Sequence, residues 1–323
     1  MAIPSAGVNN AHAQRGVALV TALLVVALAT VAAVAMASRQ QLDVRRTANL
    51  LQGDQAYVYA QAVEDWARVV LKRDENKQLD TLDDDWAQRL SPIVVPGGQV
   101  DGFIIDLQGR FNLNNLAKPD TTPENLNDNP DFLYFQNLLR ALELDDQLAL
   151  AVLDWVDADF DPRYPDGAED DFYLSTDVPY RAANRQFQSI SELRLVKGFD
   201  AAIWNKLAPY VCALPTTAVP LNINTAAAPL LQALSEELTQ ADAEQLVEER
   251  GTEGYKSVKE FLQSDVLAGP VGEQIVEGNL AVASQFFLAR SEISVGTARA
   301  RVFSVLQRAD NGALTLARTQ GTW

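Results

Sequence analysis

One cysteine and one histidine occur in the 323 residues, Cys212 and His12. A lone thiol closes no intrachain disulfide, so folding depends on the core. His12 precedes the first apolar segment. A chain cut beyond it works without imidazole, which excludes Ser-His-Asp and Cys-His catalysis and every His-ligated metal site. Positive charge is also scarce: 26 Lys and Arg stand against 43 Asp and Glu, a net charge of −17. Such a chain repels phosphate backbones, so no nucleic-acid partner is expected. There is no Gly-rich phosphate loop and no nucleophile elbow. Glycine is missing from 17–52 and proline from 17–91. The rest is globular in composition, 48% hydrophobic and 21% charged, and long enough for two domains.

Residues 17–37, VALVTALLVVALATVAAVAMA, carry no charge over 21 positions. At about 1.5 Å per residue they span roughly 30 Å, enough to cross a bilayer. Two processing schemes fit. In one, Arg15 is the basic part of a secretory signal, and Ala35-Met36-Ala37 is the small-residue cleavage site before Ser38. The apolar core is longer than the roughly 7–15 residues of such a signal. In the other, Gln14-Arg15-Gly16 followed by Val17 resembles a type IV prepilin leader cut after Gly16. The apolar stretch would then remain as a membrane anchor and assembly helix. Arg15 lies before the segment, and Arg39, Arg45 and Arg46 lie after it, so basic residues alone do not set the orientation. Further on, Tyr59, Val63, Trp66 and Val70 recur at i, i+4, i+7 and i+11. This apolar stripe predicts a helix packed on a sheet. A helix of about 55 residues would be roughly 80 Å long, half in lipid and half on a globular head.

Asp83-Asp84-Asp85 and Pro96-Gly97-Gly98 punctuate the end of this stem. VDGFIIDL (100–107) reads as a strand, Gln108-Gly109 as a turn and RFNLNNL as a second strand. From Pro119 to about Gly278 the pattern is helical, with FLYFQNLLRALEL, DQLALAVLDWV, SISELRLVKGF and APLLQAL as examples. Strand patterning returns over 285–295 and 299–307, and Asp310-Asn311-Gly312 predicts a hairpin before Leu314 and Leu316. The sheet is thus split by a helical insert of about 160 residues. Asn112-Leu113-Asn114 and Asn222-Ile223-Asn224 echo each other at the edges of the insert, each Asn placed to cap a following helix.

Residues 154–177, DWVDADFDPRYPDGAEDDFYLSTD, hold nine carboxylates among 24 positions, and Arg163 is the sole basic residue. A solvated acidic surface is one reading. The segment also carries Trp155, Phe160, Tyr164, Phe172 and Tyr173. Packed aromatics hold carboxylates close, and a hard cation relieves their repulsion. Ca2+ takes six to eight oxygens in flexible geometry, which Asp-x-Asp-x-Asp supplies. Asp157, Asp159 and Asp161 imitate the start of an EF-hand loop, but Pro162 follows and no Gly stands at the sixth position. A carboxylate pair could instead do hydrolytic acid–base work. SELRLVKGF (191–199) resembles the hairpin of a helix-hairpin-helix module, here in acidic surroundings that favour packing over DNA.

Taken together, the chain resembles the K-type minor pseudopilins of the type II secretion system, the general secretion pathway protein K family. The similarity runs over nearly the whole length. It is most specific in DWVDADFDPRYPDGAEDDFY and PYRAANRQFQSISELRLVKGF, with RGVALVTALLVVALAT, FNLNNL and NINTA also similar. Counting Val17 as the first mature residue, the fifth is Thr21, where most pilins carry Glu. K-type proteins share that lack.

The resemblance implies an α+β, pilin-like fold, a long N-terminal helix packed on an antiparallel sheet. A large α-helical domain of SAM-like or helix-hairpin-helix-like type is inserted into that sheet. The expected divisions are a prepilin leader (1–16), a transmembrane part (17–37), stem helix and first strands (38–115), the inserted domain (116–282) with its acidic calcium loop (154–177), and C-terminal strands (283–323). The ligand pool for Ca2+ is Asp154, Asp157, Asp159, Asp161, Glu169 and Asp171, with Asp170 next. Gly16 and Val17 flank the expected processing point for the prepilin peptidase. The implied role is non-enzymatic. It is a tip complex with the I and J minor pseudopilins and other pseudopilins, anchored by a single pass in the bacterial inner membrane, with the globular part in the periplasm. A secreted or periplasmic calcium-dependent binding protein, freed by an ordinary signal peptidase, is the alternative.

Overall fold

The computed structural model describes residues 11–89, 91–117, 126, 129–310 and 312–321. Most of the expected leader and Asn311 of the expected hairpin turn lie outside the described residues, as do the surroundings of Gly16. The glycine- and proline-poor run forms one helix, α1 (Ala11–Arg73), 63 residues long. At 1.5 Å per residue it extends about 95 Å. Two strands follow, β1 (Ile93–Val95) and β2 (Gly98–Asp106). The chain then leaves the sheet for the insert. This holds β3 (Phe111–Asn112), α2 (Pro130–Ala141), α3 (Leu148–Val156), α4 (Asp170–Leu174), α5 (Ala201–Leu207), β4 (Val211–Cys212) and β5 (Leu221–Asn222). It continues with α6 (Ala228–Gln232), α7 (Gln240–Arg250), α8 (Val258–Phe261), α9 (Pro270–Glu273) and β6 (Leu280–Ala281). The chain returns as β7 (Phe286–Val295), β8 (Ala298–Ala309) and β9 (Gly312–Gln320).

The main sheet is antiparallel in the order β1-β2-β7-β8-β9. β2 pairs with β7 along its whole length, from Gly98 opposite Val295 to Asp106 opposite Phe287. The insert therefore enters and leaves at one end of two neighbouring central strands. α1 covers one face of the sheet with a seam of small side chains. Ala56, Ala60, Val63, Ala67 and Leu71 are buried, whereas Tyr59, Trp66 and Val70 of the expected stripe are only half-buried. Alanine at the seam brings helix and sheet close, and the bulky residues flank it. Gly102 on β2 belongs to this approach: a Cβ there would stand 2.5 Å from the Val63 Cγ1. Glu64, on the same helix, is the polar rivet. Its carboxylate accepts from Ser304 Oγ at 2.6 Å, Thr315 Oγ1 at 2.7 Å, and Arg318 Nε and Nη2 at 2.8 Å each.

The other face of the sheet seats the insert. Leu107, Cys212, Leu214 and Val219 pack against Phe286, Leu288, Phe303 and Val305. Cys212 is structural: its thiol donates to the Leu107 carbonyl at 3.3 Å, and burial pushes its pKa up to about 12. Beside this contact lies a buried polar junction. Asp106 accepts from Thr225 Oγ1, Ser284 Oγ, Asn222 Nδ2 and the Gln108 amide, and Asp80 pairs with Arg308.

Two expectations need correction. RFNLNNL is not a second strand of the main sheet. Only Phe111 and Asn112 are extended, they pair in parallel with Val211 and Cys212, and a buried 3-10 turn follows over Leu113–Ala117. The second asparagine of each pair is not a helix cap either, whereas Asn112 does cap the 3-10 turn, its Oδ1 accepting from the Asn114 amide at 3.3 Å. Asn114 donates to the Phe187 and Leu214 carbonyls, and its Oδ1 accepts from the Phe187 amide. Asn224 does the same to Tyr255, donating to its carbonyl and accepting from its amide. Each asparagine thus takes the place of a neighbouring strand for one buried peptide.

Candidate metal centre

α3 is apolar on every side, LALAVLDWV, and buried from Ala149 to Val156. Its last turn carries Asp154 into the interior at 0% exposure and ends at Asp157. A buried carboxylate needs partners. Arg163, on the loop that follows, supplies them. Its Nη1 donates to Asp154 Oδ1 at 2.8 Å, and its backbone amide donates to Asp154 Oδ2 at 3.1 Å. The same guanidinium contacts Asp157 and lies 3.7 Å from Asp159. Gly167 makes this fold-back possible, because a Cβ there would stand 2.2 Å from Asp154 Oδ2 and 2.4 Å from the Arg163 carbonyl. Tyr173, fully buried, meets Trp155 edge to face at 5.2 Å and closes the floor.

The loop leaves negative charge over. Glu169 is 3% exposed, and neither carboxylate oxygen has a hydrogen-bond partner. Asp157 Oδ1 and Asn184 Oδ1 are likewise buried and unpartnered. Oxygens of Asp157, Asp159 and Glu169 lie within 4.8 Å of one another. Burial, together with the charges of Asp154, Asp157 and Asp159, pushes the Glu169 carboxyl up to about 8. Burial pushes Asp157 up to about 6, with Arg163 opposing and Asp159 adding to the shift. Burial also raises Asp154, against the pull of Arg163. Four carboxylates gather about one guanidinium, so the cluster is short of positive charge, and protonation of Glu169 at neutral pH relieves only part of the deficit. The donors are all oxygen, the chemistry of a hard cation. An acidic cluster that could hold a metal ion is therefore present.

Of the seven carboxylates expected as ligands, the structure gathers Asp154, Asp157, Asp159 and Glu169 about Arg163. Asp170 turns away, accepting from the Ala182 amide at 3.0 Å and pairing with Arg181 at 3.3 Å. Asp161 and Asp171 are exposed and outside the group. Sequence reasoning missed Arg163 as an internal counter-ion and Asn184 as a neutral oxygen donor. That Arg163 is the one cation among nine acids was the available signal. Asn184 gave none, since it stands seven residues beyond the acidic run.

Comparison with known proteins places this loop in a family. Two family models, both described as type II secretion system (T2SS), protein K, match residues 109–216 and 221–283. The type II secretion system protein K of Pseudomonas aeruginosa is 38% identical over 326 residues, covering 95% of this chain and 93% of that protein. The protein K of Aeromonas hydrophila is 35% identical, over 95% of this chain and 97% of its own length. The chain belongs to the type II secretion system protein K family. The similarity extends to structure. The crystal structure of the GspK-GspI-GspJ complex from the enterotoxigenic Escherichia coli type 2 secretion system contains a chain that superposes with a TM-score of 0.75. That chain is 30% identical and is covered completely, against 86% of this one. As a family member the chain is a minor pseudopilin, and it has the pilin-like fold with an inserted helical domain. The part of α1 from Val17 to Arg73, 57 residues, is long and apolar enough to act as a membrane anchor or a signal sequence.

Proposed function

We propose that this chain joins the I and J minor pseudopilins in a complex at the tip of the pseudopilus, held in the inner membrane by residues 17–37 with its head in the periplasm. The observation that carries this reading is the match to a chain of the GspK-GspI-GspJ complex, over 86% of this chain and all of that one. Processing after Gly16 leaves Val17 as the mature N-terminus and keeps the anchor. The leader, anchor, stem, insert and C-terminal strands divide near residues 16, 37, 115 and 282. The ion of the acidic loop is Ca2+, bound by Asp157, Asp159 and Glu169, with Asp154 oriented through Arg163. Asp161, Asp170 and Asp171 supply outer negative charge. Calcium suits the site because the donors are hard and the loop is irregular, and because Mg2+ demands near-ideal octahedral geometry.

The test is co-expression of the full chain with the I and J pseudopilins, followed by purification in detergent with calcium. A 1:1:1 complex is expected, with a mature N-terminus at Val17. A start at Ser38 or failure to associate overturns the reading.

A further inference from the structure

A cavity of about 490 Å³ opens between the two halves of the insert, apart from the carboxylates of the acidic loop. α2 forms one wall, and the segments about Leu221 and Leu280 form the other. Ligand sites are often concave, apolar and furnished with a few convergent polar groups. Phe111 and Leu280 supply apolar surface, and Val276 is an exposed apolar residue at the rim. The half-buried polar side chains that line this space include Tyr134 and Asn137, which are hydrogen-bonded, and Arg110, Gln136 and Asn279. Among the described residues, Arg110, Gln136 and Asn279 make no side-chain hydrogen bond or ion pair. Asp106, the carboxylate whose field reaches Arg110, is committed to the junction with β5 and β7. Arg110 therefore has no ion-pair partner among the described residues, although the Asp131 and Glu236 carboxylates also line the cavity and Asp106 acts on it from a distance, and burial lowers its proton affinity. Elsewhere the chain gives its hidden cations partners: Arg163 with Asp154, Arg308 with Asp80, Arg318 with Glu64, and Arg250 with the Ile223 and Ala226 carbonyls. In a chain of net charge −17, a half-buried arginine without a partner is the exception.

We infer that this cavity binds a peptide segment that brings a carboxylate, next to an apolar side chain, onto Arg110. The planar guanidinium matches a carboxylate through two parallel N–H···O bonds. The free amides of Gln136 and Asn279 match a peptide backbone, which a fatty acid lacks. The carboxylate is either a chain terminus or an Asp or Glu side chain, and the two are distinguished by experiment. The site uses neither the acidic loop nor the N-terminal anchor, so its failure leaves the function proposed above untouched.

The full chain in detergent micelles is titrated calorimetrically with three pentapeptides. They are Gly-Ser-Gly-Leu-Leu as the free acid, the same peptide as its C-terminal amide, and Gly-Ser-Gly-Leu-Asp as its C-terminal amide. The free acid, the Asp-bearing amide or both should bind at least tenfold more tightly than the neutral amide, which identifies the source of the carboxylate. Arg110→Gln should abolish that preference, and Gln136→Ala should weaken all three peptides. The melting temperature of each variant reports its fold. Should Arg110→Gln not fold, the acid-to-amide ratio in the unaltered chain still decides. Equal binding of acid and amide, or no saturable binding at millimolar peptide, overturns the inference.

Discussion

Glu169 and Glu64 are both buried glutamates, and the structure treats them in opposite ways. Glu169 has two unpartnered oxygens and three acidic neighbours, so its charge opposes folding unless a cation joins it. Glu169→Gln should therefore raise the melting temperature in chelator while removing most of the stabilisation by calcium. In the unaltered chain, an ion that binds only the folded state contributes about 2.7 kcal/mol at a hundredfold excess over its Kd. Calorimetric melting in chelator and in millimolar calcium checks both signs, and a variant that melts lower in chelator sinks the site. Glu64 accepts four hydrogen bonds from three residues. Burial by itself raises its pKa, but the bonds from Arg318, Ser304 and Thr315 outweigh burial and hold it at about 2. A folded pKa below the unfolded value of 4.5 means stability that is complete above about pH 4.5 and lost as pH falls toward 2. Glu64→Gln should cost about 2–4 kcal/mol at pH 7, less than a fully buried pair because Arg318 is partly in water. The difference between variant and parent should shrink in acid denaturation below pH 4. A difference that is independent of pH would mean packing, not charge, holds β9 to α1.

The insert is two versions of one element. β3 pairs in parallel with β4, and β5 pairs in parallel with β6. Each unit opens on an Asn-x-Asn whose second asparagine bonds both polar groups of one later peptide, at Phe187 or at Tyr255. Those peptides begin matching segments, FQSISEL (187–193) and YKSVKEF (255–261). In both, the glutamate accepts from the amide after the aromatic residue, Glu192 from Gln188 and Glu260 from Lys256, at 2.7 Å each. The acidic loop lies in the first unit, whose span between asparagine and aromatic residue is the longer. Asn114→Ala and Asn224→Ala should each cost about 2–4 kcal/mol, because at least two buried backbone groups lose their partner. Losses below about 1 kcal/mol in urea unfolding would rule out the shared role. These contacts mark the limit of sequence reading. α1, β2 and the β7–β9 strands were legible because burial on one face imprints a period of 3.6 or 2. RFNLNNL alternates too, yet its asparagines point inward to carbonyls about 70 and 100 residues away, and periodicity carries no trace of such partners. The acidic loop was legible as a site from composition. Which carboxylates converge was not, since Gly167 and Arg163 fold the loop by contacts that leave no regular spacing.

On the scale of the molecule, the shape limits where this subunit fits. α1 runs about 95 Å, with the sheet on one side of its C-terminal half and the insert beyond the sheet. The apolar part, from Val17, is exposed along its length, as a lipid-facing or helix-facing segment must be. Thr21 sits in that part, and its hydroxyl donates to the Val17 and Ala18 carbonyls at 3.0 Å each. It is a satisfied polar group, with no charge to offer. A Glu at this place in other pilins can neutralise the N-terminal ammonium of a neighbouring subunit, and an unpaired charge in lipid is costly. A chain that lacks the Glu cannot stabilise a neighbour in that way, which suits the first place in a filament. The insert argues the same way. It stands out from the sheet face opposite α1, where a closely wound filament would place the next turn of subunits, and only an end leaves it room. Chains carrying an epitope in the exposed 176–179 turn should therefore mark one end of isolated pseudopili under immunogold labelling. Gold at regular intervals along the shaft would refute the tip position. Thr21→Glu distinguishes the two causes. If the missing charge alone excludes the chain from the shaft, the variant should appear along it. If the insert excludes it, gold should stay at the end, and the bulk of the helical domain decides the position.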